Sequence, residues 1–115
     1  SDLVMKTSEL GSFLGADCVQ SEYEDREIAG AYTSDLLSDA MANAVDEGIL
    51  ITIQAHKNTI AVATLKDLRA IVLCNNRPVP DDMIEAARGE GIALFVTKDS
   101  QYEVSGKLHP KLAGR

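Results

Sequence analysis

Three times in succession this chain runs from a short aliphatic block through a polar turn into a segment with helical spacing, and that order leaves few folds open. The blocks are ILITIQ at 49–54, AIVLC at 70–74 and IALFV at 92–96. ILITIQ is rich in β-branched residues without clean alternation, the pattern of a strand covered on both faces. Consecutive strand, turn and helix units imply crossovers of one hand between parallel strands, with helices packed on the sheet. The expectation is a three-layer α/β fold, its sheet mainly parallel or mixed, with helices on both faces.

Ahead of these units, EIAGAYTSDLLSDAMANAV at 27–45 reads as another strand turning directly into a helix. Thr33 and Ser34 supply hydroxyls where first-turn amides need caps. Leu36, Leu37, Ala40, Met41, Ala44 and Val45 then recur in pairs four apart, forming one apolar stripe. Further upstream, Thr7 or Ser8 caps a short helix carrying Leu10, Phe13 and Leu14, with Gly15 as its left-handed stop. ADCVQ at 16–20 is read as a strand, the polar run 21–26 as a hairpin-type loop, and the first two strands as an antiparallel pair at one side of the sheet.

Later in the chain, Asn58 is the expected N-cap of a helix whose Ile60, Ala61, Val62, Ala63 and Leu65 are apolar almost all round. A second subunit is the economical cover for such a helix, so a homodimer is expected. Pro80 suits a first helical position, with Asp81 and Asp82 beside the positive helix end. Met83, Ile84, Ala86 and Ala87 face inward, and Gly89 and Gly91 close the element. Ser100 and Glu103 fit a capping box, and Pro110 ends the last helix.

The 115 residues suit one domain, placed at 5–113, with residues 1–4 an expression leftover or an upstream piece. A formal charge of -7 leaves no basic face for nucleic acid or anionic membranes. With two cysteines, Cys18 and Cys74, far apart in sequence, reduced thiols and a cytoplasmic setting are expected. No apolar run approaches the ~20 residues of a membrane span.

Parallel strands bring four loops to one edge: Thr33, Ser34 and Asp35; His56, Lys57 and Asn58; Asn75, Asn76 and Arg77; Thr97, Lys98, Asp99 and Ser100. Lys57, Arg77 and Lys98 beside helix amino termini make a candidate site for phosphate or carboxylate. Asp35 and Asp99 partly cancel that field. His56 could act as an acid or base and Cys74 as a nucleophile, which gives a small enzyme as the competing reading. Cys18, Cys74, His56 and His109 lack metal-ligand spacing, so no metal and no cofactor are assigned. Gly89-Glu90-Gly91 follows a helix and precedes a strand, the wrong order for a dinucleotide loop.

The run DREIAGAYTSDLLSDAMANA, followed by ILITIQAHKNTIAVATLKDLRAIVLCNNRPVPDDMIEAARGEGIALFVTKDSQYEVSGKL, resembles the DRTGG domain, in particular the free-standing type associated with iron-only hydrogenase systems. The likeness extends from about Met5 to Leu108. Asp25 and Arg26 match the first two letters of the motif. Where many members have Thr-Gly-Gly, this chain has Cys74, Asn75 and Asn76, then the expected Arg77-Pro78. Asparagine tolerates positive φ best after glycine, so the shape of the turn is expected to survive, without the threonine hydroxyl.

The resemblance implies a fold similar to the N-terminal domain of HPr kinase/phosphorylase and supplies no catalytic residues. DRTGG domains elsewhere accompany CBS domains, phosphotransacetylases and cobyrinic-acid-type synthases as attached modules. The leading expectation is therefore a non-catalytic accessory domain binding a small anionic ligand, such as a nucleotide, or a hydrogenase-system partner protein. A pure interaction scaffold is the third reading.

Overall fold

The computed structural model describes residues 5–112, so the expectations for 1–4 and the terminal boundary at 113 lie outside the described residues. A 3-10 turn, Thr7–Glu9, leads into α1 (Leu10–Leu14) and β1 (Asp17–Gln20). Then follow β2 (Ala31–Thr33), α2 (Leu37–Asn43), β3 (Ile49–Thr52), α3 (Lys57–Leu65), β4 (Ala70–Leu73), α4 (Asp81–Glu90), β5 (Ala93–Val96) and α5 (Gln101–Leu112).

The five strands form one mixed sheet in the order β1-β5-β4-β3-β2. β2, β3, β4 and β5 are parallel neighbours, and β1 joins β5 antiparallel. All residues of β3 and β4 are buried, which is why these segments are continuously aliphatic. One face of the sheet, with Ile49, Ile51, Val72 and Phe95, packs against Leu10 and Leu14 of α1 and Val104, Leu108 and Leu112 of α5. The other face, with Leu50, Ile71, Leu73 and Leu94, is covered by Ala40 of α2, Ile60 and Ala63 of α3, and Met83 and Ala87 of α4. Helices therefore cover both faces of an α/β sheet, as expected.

Several local expectations are corrected. β1 and β2 do not pair: they occupy opposite edges of the sheet. The segment between them is no hairpin, because Ile28 is buried and tied to Met5, and Glu27 bridges Lys6. The chain is thereby pinned to the amino edge before β2 begins. Thr33 lies in β2, and α2 starts at Leu37 after Leu36, with no side-chain cap. Ser34 instead exchanges hydrogen bonds with the backbone of Leu36. The stripe of α2 is narrower than expected: Ala40 and Ala44 are buried, whereas Leu36 and Met41 are exposed.

His56, and not Asn58, caps α3; its Nδ1 accepts from the Asn58 amide at 3.0 Å. That helix buries Thr59, Ile60, Val62 and Ala63 within its own chain, alongside α2 and α4. Leu65 remains 70% exposed. The reason given for a second subunit at α3 is thus removed. α5 continues through Pro110 to Leu112. Proline forfeits one backbone bond here, close to the helix end, and Leu108 and Leu112 hold the last turn to the core.

Other signals act as read. Gly15 and Gly91 stop α1 and α4 at φ 66°. Ser100 and Glu103 form the reciprocal capping box of α5, at 2.9 and 3.1 Å.

Candidate functional site

Because β2 to β5 run parallel, their carboxyl ends share one edge, and the antiparallel register of Asp17 with Val96 brings the start of β1 there too. The four expected loops all emerge at this edge. Thr33, His56, Lys57, Asn58, Asn75, Asn76, Arg77 and Lys98 are exposed, Ser34 and Ser100 half-buried, and Thr97 buried. Thr33 Oγ1 lies 2.7 Å from Ser105 Oγ, which ties the end of β2 to α5.

Much of the polar capacity beneath this rim is consumed internally. Asp35 Oδ1 accepts from Thr52 Oγ1 at 3.1 Å, the Ile53 amide at 2.9 Å and Gln101 Nε2 at 2.9 Å. One carboxylate oxygen thus fastens the loop after β2 to the loop after β3 and to α5. Asn75 and Asn76 both adopt left-handed φ, 62° and 52°. Their amides donate to Asp99 O and Thr97 O, each at 2.9 Å. The turn shape expected for the Thr-Gly-Gly position therefore survives with asparagine, and its amides bind the neighbouring loop. Thr97 Oγ1 accepts from the Asp99 amide at 3.1 Å, and Asp99 Oδ2 pairs with Lys107 at 2.9 Å.

Cations at both edges are paired in part: at the carboxyl edge Lys107 pairs with Asp99, and at the amino edge Lys6 has no ion pair among the described residues. Near the amino ends of the strands, Arg26 pairs with Glu24, Lys66 with Asp46, and Arg69 with Glu47 and Asp67. At the carboxyl edge, none of the ion pairs among the described residues involves Lys57, Arg77 or Lys98. Asp17, Asp81 and Asp82 lie at the same edge and temper the field.

The strand order places no switch point at the centre of this rim. A crevice in an open α/β sheet forms where strand order reverses, and β2 to β5 simply follow one another across this sheet. The groove at this edge, about 460 Å³, opens instead at the junction of β5 with β1. It gathers Asn76, Thr97 and Lys98 with Asp17, Asp99 and Lys107, and does not include the other expected site residues. Among the described residues no cluster of three His, Cys, Asp or Glu could hold a metal ion, and no helix is long and apolar enough to cross a membrane.

His56 faces its own helix through Nδ1, which leaves Nε2 at the rim. Cys74 is buried. Burial, reinforced by the charges of Asp35 and Asp99, pushes its thiol up to about 11. Little thiolate exists there at neutral pH, the opposite of an activated nucleophile. Cys18 is exposed, with a thiol raised chiefly by partial burial. An aromatic disulfide reagent at pH 8 should titrate one thiol per native chain and two in denaturant; two in the native state would show Cys74 to be accessible.

Sequence reading gave Asp25 and Arg26 no structural role. Asp25 accepts from Ser8 N at 2.9 Å and Ser8 Oγ at 2.7 Å, and these bonds hold its carboxyl below the usual range. Arg26 O accepts from Thr7 N and Thr7 Oγ1. The pair therefore docks the long connection onto the first helical turn. It lines a groove of about 640 Å³ with Lys6, Glu27, Glu47 and Arg69 at the amino edge. The local signal for this was the proximity of an Asp to unsatisfied first-turn amides, recognisable only once the loop had folded back.

No family model matches the chain. Over 43 residues, 37% of its length, it is 40% identical to HPr kinase/phosphorylase of Streptococcus uberis, and that stretch spans 14% of the relative. Among solved structures it is similar to the CBS and DRTGG domains of the regulatory region of Clostridium perfringens pyrophosphatase, complexed there with its activator, diadenosine tetraphosphate. The TM-score is 0.76 at 13% identity, over 92% of this chain and 46% of that one. The likeness is one of fold and supports a DRTGG-like α/β domain. The chain thus spans about half the length of the structural neighbour.

Proposed function

We propose that this domain is a non-catalytic regulatory module that takes a small anionic ligand, a nucleotide above all, at the carboxyl edge of its sheet. Lys57, Arg77 and Lys98 provide the charge, and Thr33, Ser34, His56, Asn58, Asn75, Asn76, Thr97 and Ser100 the surrounding polar groups. The observation that carries this reading is that three cations on loops at one edge, Lys57, Arg77 and Lys98, have no ion pair among the described residues. A nucleotide is favoured because a regulatory region with a similar fold is complexed with diadenosine tetraphosphate. An enzyme built on Cys74 is disfavoured by the burial of its thiol. As a module it acts on a larger system, and the sequence resemblance directs the search for that partner to iron-only hydrogenase systems.

The test is thermal unfolding with ATP, diadenosine tetraphosphate and inorganic phosphate. A ligand present at 100 times its Kd stabilises by about 2.7 kcal/mol. Each of Lys57→Ala, Arg77→Ala and Lys98→Ala should weaken binding by roughly tenfold, as expected for one lost charge-assisted contact. No shift with any of the three ligands, or a shift indifferent to all three substitutions, refutes the site.

A further inference from the structure

The groove of about 460 Å³ at the junction of β5 with β1 falls within the roughly 300–1,000 Å³ of small-ligand sites. Its four charged residues play two parts. Asp99 and Lys107 neutralise one another at 2.9 Å, and the Asp99 side chain is only 18% exposed, so this pair belongs to the wall. Lys98 and Asp17 are exposed, and neither enters an ion pair among the described residues. Leu14, which is buried, and Val96, which is half-buried, add apolar lining. Gly15 adds bare backbone, with nothing within 4 Å of the place a side chain would occupy.

A phosphate is attracted by Lys98 and repelled by Asp17. Asp17 suits a group rich in N–H donors, and the apolar and bare lining suits a flat uncharged ring. A nucleotide carries phosphate and ring in one molecule. Neighbouring strands lie about 4.8 Å apart, so the ends of β4 and β3 stand one and a half and two and a half spacings from this junction, about 7 and 12 Å. Arg77 and Lys57 lie on the loops that start there. Those intervals match a phosphate chain extended from a nucleoside seated in the groove.

We infer that this groove is the base subsite of the nucleotide and that Asp17 makes it select guanine. The inference rests on the nucleotide reading above and gives the ligand a direction, its base at β5 and β1 and its phosphates along the ends of β4 and β3. A carboxylate accepts two parallel N–H bonds when the donors stand side by side, as it does from a guanidinium. Guanine presents such a pair, N1–H and N2–H, on its Watson–Crick edge, the edge by which an unpaired base is read. Adenine and cytosine offer one amino group beside an acceptor nitrogen, which the second carboxylate oxygen repels. Uracil offers a single N–H between two carbonyls.

Calorimetric titration of the full chain with GTP, ATP and tripolyphosphate tests it. GTP should bind about tenfold tighter than ATP, within the range by which one bidentate contact discriminates against the wrong base. Asp17→Asn, at an exposed position of an edge strand, should bring that ratio close to one. Loss of a negative charge alone strengthens all three anions together, which Asp82→Asn should show with the GTP to ATP ratio unchanged. Equal affinity for GTP and ATP in the wild type overturns the base subsite, and so does a preference that survives Asp17→Asn. In either case, tripolyphosphate binding weakened by Lys57→Ala or Arg77→Ala keeps the anion site. Failure of the anion site reads differently, as no binding of tripolyphosphate or binding indifferent to Lys57→Ala, Arg77→Ala and Lys98→Ala, and that result overturns both.

Discussion

Gly48→Ala should cost about 2–4 kcal/mol of stability, lowering the midpoint of thermal unfolding by roughly 10–20 °C. A methyl group at this position would stand 2.7 Å from Gly30 O and 2.9 Å from Val45 O. Both neighbours are backbone atoms and cannot swing aside as a side chain can. Gly30 O also accepts the Ile49 amide at 2.9 Å, and Gly48 O accepts Arg69 N at 2.8 Å. Relieving the clash therefore moves the start of β3 away from β2, β4 or both. Gly89→Ala is the matched control: nothing lies within 4 Å of its added carbon, and in α4 it should stabilise by about 0.5–1 kcal/mol. Equal denaturation midpoints for Gly48→Ala and wild type would refute the close approach.

Removing the carboxylate of Asp35 is expected to have a comparable effect. Asp35→Ala strips the acceptor from the Ile53 amide, the Thr52 hydroxyl and the Gln101 amide nitrogen, all partly buried. Donors left unmatched cost about 1–3 kcal/mol each, moderated here by water reaching the rim, so a loss of about 2–3 kcal/mol is expected. Asp35→Asn keeps one carbonyl oxygen for these donors and should lose only about 1 kcal/mol. The order wild type, Asn, Ala in urea midpoints is the prediction; an Ala variant as stable as wild type would mean that these bonds do not hold the loops together.

The three strand-turn-helix units were legible because strands buried on both faces admit only apolar residues, and Ile49, Leu50 and Ile51 meet opposite layers of the core. Once their order was known, so was the edge at which Lys57, Arg77 and Lys98 emerge. β1 was misplaced because only Gln20 of its four residues is buried, so its pattern says nothing about which neighbour it takes. Gln20 held the missing clue: its side chain donates to Ile92 O at 2.9 Å, a partner 72 residues away. Asp35 was read as an anion opposing the site, when its partners lie 17 to 66 residues away and make it a fastening. Helix stripes were overread for a similar reason, since Leu36 and Met41 keep the spacing of α2 while standing beyond the core. Local spacing reports that a helix has a face, and leaves open how far the sheet beneath it extends.

The antiparallel seal at the far edge also has an entropic consequence. Asp17 lies beside Val96, whereas Ile49 pairs with Ala70 within a single strand-helix-strand unit. Closing the longer loop costs about 1 kcal/mol more chain entropy than closing the shorter one. β1 is therefore the strand whose release returns the most freedom to the chain, and its attachment depends on side chains such as Gln20 to offset that difference.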